Sequence, residues 1–335
     1  MKIWRKILKW FFRTLVAVIG LIVLVLIVFR FVTFLRENKT PQQGAPAGGE
    51  FVSAGDIKMY VQEKGPQTGQ PVVFIHGFGA WSETWRKTLD ALAEQGFHVY
   101  ALDVPPFGFS EKVTTGKFSR QDQAQRIIAV LDSLHLSQVI LVGHSVGGRP
   151  TVEAALIQPQ RIKALVLVDP AMGFGVDGQF EQNHPSFLTK VFFAIKPLRN
   201  SALALTVTNP LLTKKLLSTF VADPNVLTPS LLAIYQKPFV VKDSTNRLGD
   251  WLKVLSEDQD NSQSANFANF SKLTMPTMLI WGNKDAITPL GQGQKLNQLI
   301  PKSSLVVLDG LGHIPQIENP DKFNAALLPF LVKFK

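Results

Sequence analysis

The sequence contains no cysteine among its 335 residues. This absence excludes disulfide bonds, thiolate catalysis and zinc sites built on cysteine. The His-Glu-x-x-His pattern of many zinc enzymes is also missing, as are a Gly-x-Gly-x-x-Gly motif after the first strand of the domain and a Gly-x-x-x-x-Gly-Lys-Ser/Thr motif. We therefore expect neither a metal nor a nucleotide cofactor.

Excess positive charge is scarce outside the N-terminus. The net charge of the chain is +10, and residues 1–39 account for +7 of it. The remainder carries 27 basic and 24 acidic residues. Since the basic excess does not lie on the folded domain, we expect no binding of nucleic acid.

The N-terminal segment is strongly apolar. Residues 14–35 are interrupted only by Arg30 and are long enough for a bilayer-spanning helix. Arg30 lies near the far end of this stretch, where we predict that it snorkels to the headgroups. Aromatic residues at the near end fit an interfacial belt: Trp4, Trp10, Phe11 and Phe12. We predict a membrane anchor over residues 1–37.

A cleaved signal peptide is the alternative for this segment. Its apolar region would be shorter, and Ala45-Pro-Ala47 lies well past the apolar run and contains a proline. An uncleaved anchor is therefore favoured. Five basic residues precede the span, against Arg36 and Lys39 after it. The positive-inside bias predicts a cytoplasmic N-terminus and a folded domain on the far side, which in a bacterium is the periplasm.

The pattern after the anchor predicts an α/β fold. Residues 38–50, rich in proline, glycine and glutamine, predict a flexible linker. A hairpin is expected at 50–62, followed by strands near 71, 97, 138, 163, 277 and 304 that alternate with helices near 82, 119, 147 and 320. This alternation is typical of a mostly parallel, doubly wound sheet.

One insertion interrupts the alternation. About a hundred residues separate Asp169 from Met275, with helical patterning broken by prolines. We predict a helical cap at 173–272, inserted between two parts of the core at 51–172 and 273–335. Such a cap would offer an apolar pocket to the site below it; alternatively, its Phe and Leu residues form only the core of the cap.

The most informative motif is Gly143-His-Ser-Val-Gly147, which follows the apolar run 138–142. A serine between a buried strand and a helix must turn sharply, and side chains at 143 and 147 would collide. The turn exposes the Ser145 hydroxyl and directs the Val146 N–H at a developing oxyanion. Because Pro150 is tolerated only in a first helical turn, the following helix must begin at or near Ser145.

Activation of a serine requires a histidine and a carboxylate. Asp285 and His313 each follow an apolar run, and the order Ser, Asp, His is that of the α/β-hydrolases. Asp169, at the end of another run, is a rival acid. Asp103 is interpreted as a structural loop residue.

The other five histidines are weaker candidates for the base. His98 and His135 are predicted on the surface, and His184 falls in the insertion, where we expect it to be exposed. His76 and His144 are expected to make loop hydrogen bonds. A second oxyanion donor is predicted in the loop His76-Gly-Phe-Gly79 after the strand 71–75, where the Phe78 N–H would lie opposite that of Val146.

Together with Asp103-Val-Pro-Pro-Phe-Gly-Phe-Ser110, Gly282-Asn-Lys-Asp285 and Gly312-His313, these motifs make residues 51–335 resemble the serine hydrolases of the α/β-hydrolase fold superfamily. The resemblance implies Ser145 as nucleophile, His313 as base, Asp285 as acid, and Phe78 and Val146 as oxyanion donors. It implies cleavage of a small-molecule carboxylic ester through an acyl-enzyme, without a cofactor. The anchor and the cap favour a lipid-derived acyl group, a layout similar to that of membrane-anchored monoacylglycerol lipases.

Other members of the superfamily supply the alternatives. Carbon–carbon hydrolases use the same triad on substrates that carry carboxylates, so a basic cap residue facing Ser145 would favour them. Proline-releasing aminopeptidases require an acidic site in the cap, whereas epoxide hydrolases and haloalkane dehalogenases have aspartate in place of Ser145. A binding module on a hydrolase scaffold is the alternative that is not an enzyme, and such modules usually lack a triad member.

Overall fold

A computed structural model describes residues 2–173, 186–256 and 261–335 of the chain. Its centre is an eight-stranded sheet in the order β1-β2-β4-β3-β5-β6-β7-β8. The strands are β1 Gly49–Ser53, β2 Lys58–Lys64, β3 Pro71–Ile75, β4 His98–Leu102, β5 Val139–His144, β6 Ile162–Val168, β7 Thr277–Gly282 and β8 Ser303–Leu308. Strands β1 and β2 are antiparallel to each other, β2 is antiparallel to β4, and all other pairs are parallel. The predicted α/β class and mostly parallel sheet are confirmed.

Helices cover both faces of the sheet, and further helices lie before it and in the insertion. They are α1 Lys2–Arg36, α2 Pro41–Gly44, α3 Arg86–Glu94, α4 Arg120–Ser133, α5 Gly148–Ile157, α6 Phe187–Ala194, α7 Lys196–Leu205, α8 Thr213–Leu217, α9 Pro229–Gln236, α10 Ser244–Leu255, α11 Leu290–Leu299, α12 Pro315–Glu318 and α13 Pro320–Leu331. Successive strand residues point to opposite faces, so Leu141 packs with α4, α5 and α11, while its neighbour Val142 packs with α3 and α13. Because both faces are covered, the central strands read as continuous apolar runs.

The insertion between β6 and β7 forms a cap from helices α6 to α10. Its apolar residues pack on one another and on the core: Leu217, Leu231 and Tyr235 cluster with Ala80 and Ile314. The predicted cap boundary at 272 differs from the packing, because Phe270 belongs to the core cluster and Glu153 of α5 accepts from the N–H of Ser264 at 2.6 Å. Residues 263–272 therefore pack with the core.

The segment 38–50, predicted as a flexible linker, is folded instead. Thr40 caps the short helix α2 and makes a reciprocal pair of hydrogen bonds with Gln43. Lys39 forms a parallel bridge to the cap, with its N–H donating to the Val240 carbonyl at 3.0 Å. The sequence composition was misleading here because partners some 200 residues away order the segment.

Helix α1 is apolar enough and long enough to cross a membrane, and its most apolar window is exposed. The prediction that Arg30 snorkels to headgroups is wrong in this structure. Its guanidinium donates to the Asn246 side chain of the cap at 2.7 Å, and Thr33 one turn later is buried. One side of the last turns of α1 thus lies against the cap, while apolar side chains on the other side are exposed: Phe31, Val32, Phe34 and Leu35.

Candidate active site

Ser145 lies at the turn between β5 and α5, with a backbone φ of 53°. This left-handed conformation is uncommon for a residue with a side chain. A Cβ at position 143 would lie 2.4 Å from Thr151 Oγ1, and one at 147 would lie 2.2 Å from the His76 carbonyl oxygen. The predicted need for glycine at both positions is therefore confirmed, and Pro150 falls in the first turn of α5 as expected.

The three side chains predicted to act together lie in one hydrogen-bonded row. The distance from Ser145 Oγ to His313 Nε2 is 2.8 Å, and that from His313 Nδ1 to Asp285 Oδ2 is also 2.8 Å. All three residues are buried. Because β5, β7 and β8 are parallel, the loops that follow them meet at one edge of the sheet.

Asp285 is held by more than His313. Its Oδ1 accepts from the N–H groups of Ile287 at 2.7 Å and Thr288 at 2.9 Å, and the Thr288 hydroxyl donates to its Oδ2. Burial raises the pKa of Asp285, but the hydrogen bonds and charge of His313, together with the donors of Thr288, outweigh it and lower the pKa overall. Asp285 is therefore ionised and oriented at neutral pH.

Asp169, the rival acid, lies at the end of β6 and makes no hydrogen bond with the imidazole. Its Oδ1 accepts from the Gly282 N–H at 2.9 Å. The carboxylate that touches His313 is thus that of Asp285.

The loop 76–79 lies directly against the elbow, which is the turn 143–147 that carries Ser145. A Cβ at position 77 would come within 2.8 Å of the Ser145 Cβ, and Phe78 shares a cavity wall with Ser145. Outside the helices and strands of the described residues, no backbone carbonyl accepts from the N–H of Phe78 or of Val146. The roles of these two amides as oxyanion donors stay predictions.

Two neighbouring histidines make the loop hydrogen bonds that the sequence predicted. His144 Nε2 lies 2.8 Å from the His313 carbonyl, and burial lowers the pKa of His144 to about 3. His76 Nε2 accepts from the Val104 N–H at 3.0 Å, and its Nδ1 lies 2.8 Å from the Gly77 carbonyl. Both rings stay neutral and brace the loops around Ser145.

The predictions for Asp103 and His135 are confirmed, and the prediction for His98 is wrong. Asp103 is a structural loop residue as predicted, accepting from the N–H groups of Ser82 and Phe109 at 2.7 Å each. His135 is exposed as predicted, but His98 is buried against Glu63 of β2, because it begins a central strand. His184 lies outside the described residues.

The free energy of unfolding should fall as the pH is lowered from 7 to 5, in part because of His76. Burial lowers the pKa of His76 to about 4, so the unfolded chain binds the proton near pH 6.5 while the folded chain binds it only near 4. Stability is therefore lost as the pH falls through this window. His76→Gln keeps an acceptor for Val104 and should shrink the loss by about 2 kcal/mol in urea denaturation. An unchanged pH dependence in the variant would assign the loss to other groups.

Sequence reasoning missed a clasp between the cap and the His313 loop. The Phe220 carbonyl accepts from the His313 N–H at 2.7 Å. Glu318 accepts from the N–H groups of Ala222 and Asp223 with Oε1, and from Gly312 with Oε2 at 2.8 Å. No local pattern marks Glu318, because two of its three partners, Ala222 and Asp223, come from a cap loop almost a hundred residues earlier.

A cavity opens beside Ser145. It is lined by Phe78, Ala80, His144, Ser145, Phe220, Tyr235, His313, Ile314 and Gln316. A second cavity shares Phe78, Phe220 and Tyr235 and extends under the cap. Its other walls are Gly79, Val207, Thr213, Leu216, Leu217 and Phe239. The space in front of the hydroxyl is therefore mostly apolar and contains no lysine or arginine among the described residues.

Within the described residues, the one group of three acidic or imidazole side chains close enough to share an ion is Asp169, Asp285 and His313, with donor atoms within 4.8 Å of one another. Both ring nitrogens of His313 already have hydrogen-bond partners. The group is arranged for proton transfer between side chains, and we assign no metal to it.

Comparison with known proteins places this geometry in a family. Residues 70–320 match the family model described as the alpha/beta hydrolase fold. The chain is 30% identical over 304 residues to a 2-hydroxy-6-oxononadienedioate/2-hydroxy-6-oxononatrienedioate hydrolase of Paraburkholderia phymatum, covering 89% of this chain and 99% of the relative. It is 28% identical over 275 residues to the uncharacterized hydrolase YugF of Bacillus subtilis, covering 82% of this chain and 94% of that protein.

A solved structure of a membrane phospholipase A, a bacterial virulence factor, superposes with a TM-score of 0.69 at 22% identity, over 97% of this chain and 98% of that one. At this identity the likeness concerns the fold. The family match covers most of the chain, and both relatives are of nearly the same length as the part they match. The mostly parallel sheet and the strand-turn-helix at Ser145 fit this family. The chain therefore belongs to the α/β-hydrolase fold family and is a hydrolase of that fold.

Proposed function

We propose that this chain is a membrane-anchored serine hydrolase that cleaves carboxylic esters with apolar acyl groups. The observation that carries the proposal is the row Asp285–His313–Ser145 opening onto an apolar cavity. A hydroxyl hydrogen-bonded to an imidazole that can take its proton is an activated nucleophile, and the aromatic walls would take up an acyl chain.

The reaction would proceed in two halves. Ser145 Oγ attacks the ester carbonyl carbon while its proton passes to His313 Nε2, and Asp285 stabilises the imidazolium. The N–H groups of Phe78 and Val146 hold the oxyanion of the tetrahedral intermediate. Collapse breaks the bond to the alcohol, which leaves with the proton from His313. Water then attacks the acyl-enzyme by the same route and releases the acid and Ser145.

The carbon–carbon hydrolase activity of relatives is the second candidate, because one of them is 30% identical to this chain. The substrate in that relative's name is a dicarboxylate, which calls for a cationic partner in the pocket. The walls beside Ser145 offer none among the described residues, and the insertion segment 174–185 contains neither lysine nor arginine in its sequence. This contrast favours an uncharged ester.

Contacts between α1 and the cap support an anchor that is retained. Besides the Arg30 contact, Glu37 accepts from the Thr245 N–H at 3.0 Å, and Arg36 Nε donates to the Phe239 carbonyl at 3.2 Å. Removal of this segment as a signal peptide would break these contacts. Residues 10–29 then supply the roughly 20 residues that a span needs, with Arg13 snorkelling to the cytoplasmic side. The charge bias still favours a cytoplasmic N-terminus.

The cap would lie at the bilayer surface, because α7 packs on α1 and α6 adjoins α7. Large apolar side chains of this part of the cap are exposed: Phe187, Leu188, Val191, Ile195, Leu198 and Leu211. A lipid-derived ester at the bilayer surface is therefore the substrate class we favour. The name of the membrane phospholipase A that shares the fold agrees with this choice.

A substrate panel tests the proposal. Full-length protein in detergent should hydrolyse monoacyl esters and prefer medium or long acyl chains to acetate, since longer chains fill the cavity under the cap. A 2-hydroxy-6-oxo dienoate, assayed alongside, should not turn over. Faster cleavage of the dienoate than of every ester would overturn the assignment in favour of carbon–carbon hydrolysis.

A further inference from the structure

Asp169 is a carboxyl group beside the Asp285–His313 pair that the proposed reaction does not use. It is completely buried, and its backbone φ of 42° is unusual for a residue with a side chain. The Gly282 N–H donates to Oδ1, but no N–H or O–H group of the described chain donates to Oδ2. An ionised carboxylate with a buried oxygen that receives no donor from the protein would be costly.

The nearest ionisable neighbours of Asp169 are the triad acid and base. Oxygen atoms of Asp169 and Asp285 and a ring nitrogen of His313 lie within 4.8 Å of one another. Glu318 is the further acid that acts on Asp169, and its carboxylate is occupied by three N–H groups. Two adjacent carboxyl groups in a buried site cannot both ionise cheaply, so one of them holds a proton.

The hydrogen-bond donors decide which of the two holds it. Asp285 receives the N–H groups of Ile287 and Thr288 and the imidazole of His313, whereas Asp169 receives a single N–H. The Thr288 hydroxyl has one hydrogen to share between Asp285 Oδ2 and the Asp169 carbonyl, which leaves the Asp285 carboxylate room for one more donor. Donors stabilise the charged form, so the charge belongs on Asp285 and the proton on Asp169. In agreement, burial raises the pKa of Asp169 well above its usual range, and the charge of Asp285 and a hydrogen bond with its side chain raise it further.

We propose that Asp169 is a neutral carboxylic acid whose Oδ2–H donates a hydrogen bond to the carboxylate of Asp285 and so positions the triad acid. Asp169 would act through Asp285 and never touch the substrate. The bond gives the otherwise unpaired Oδ2 a partner. It weakens the electrostatic attraction of the Asp285 carboxylate for a proton on His313. It also locks the end of β6 to the loop after β7.

Two variants and an infrared measurement test this role. Asp169→Asn keeps the shape, offers an amide N–H to Asp285 and keeps an oxygen for the Gly282 N–H. Asp169→Leu keeps the approximate shape and removes both bonds. The readouts on full-length protein are the rate at which a fluorophosphonate labels Ser145 as a function of pH, and the carboxylic-acid C=O band at neutral pH in the infrared difference between wild type and Asp169→Asn.

We expect Asp169→Asn to label within about twofold of wild type and with the same acidic limb. Asp169→Leu should label about tenfold more slowly, with its limb moved to higher pH by roughly half a unit, because Asp285 then holds the proton on His313 more strongly. The infrared difference should contain the C=O band of a protonated acid. If Asp169→Leu does not fold, the Asn variant and the infrared band decide.

The opposite results would overturn the proposal. If Asp169 is ionised, the infrared difference lacks that band, and Asp169→Asn removes a negative charge near His313 and moves the acidic limb to lower pH. The kinetic reading rests on the serine hydrolase function proposed above, but the infrared reading does not. A wild type that is never labelled would therefore reject the function and leave the protonation of Asp169 to be judged by its band.

Discussion

Ser145→Ala should lower the turnover of any acyl ester by about 10⁴-fold or more. The variant removes the hydroxyl that lies 2.8 Å from His313 Nε2. The change from serine to alanine adds no bulk to the elbow, so folding should be preserved. Initial rates on the best ester of the panel measure the effect.

Ser133→Ala is the matched control, since Ser133 is an exposed serine whose hydroxyl donates to the Ser53 carbonyl away from the site. It should keep wild-type turnover. Fluorophosphonate labelling should follow the same division, with loss of the adduct only in Ser145→Ala. Turnover of Ser145→Ala within tenfold of wild type would require another nucleophile, and absence of labelling in wild type would revive the binding-module alternative.

The parts of the fold that were predictable from sequence depend on local signals. Strands β3 to β8 are apolar runs because both faces of the sheet are covered, and the turn at Ser145 is marked by glycines whose replacement would collide with neighbours. The geometry brings Ser145, Asp285 and His313 together because parallel strands end at one edge. The strands, the turn at Ser145 and the strand-end positions of the triad can each be recognised from a few neighbouring residues in the sequence.

The features that escaped prediction depend on distant partners. The composition of residues 38–50 predicted a flexible linker. Backbone pairing of Lys39 with Val240 and Val241 of the cap holds this segment in place instead. The hydropathy pattern predicted that Arg30 reaches the lipid headgroups, but its guanidinium donates a hydrogen bond to the Asn246 side chain. The clasp of Glu318 joins segments far apart in the chain, so no spacing rule reveals it. Asp169 was visible as an acid at a strand end, but its donors had to be counted in three dimensions before a role could be argued.

Asp285→Asn should lower ester turnover by about 10⁴-fold, through the tautomer of His313 rather than through lost packing. The N–H groups of Ile287 and Thr288 both donate to Oδ1, so the amide oxygen must take that position and the amide NH₂ must face His313 Nδ1. Nδ1 then has to accept, and Nε2 carries the hydrogen toward Ser145. A base that already holds its proton cannot take the one from the serine hydroxyl.

Asp169→Asn is the matched control for this variant, because it makes the same change from acid to amide at a group that lies within 4.8 Å of Asp285. If Asp169 is the neutral partner, its amide replaces the lost O–H donor, and turnover should stay within about twofold of wild type. The ratio between the two variants therefore measures how differently the site treats its two carboxyl groups. Equal losses would mean that both carry charge, whereas the larger loss in Asp169→Asn would transfer the role of triad acid from the end of β7 to the end of β6.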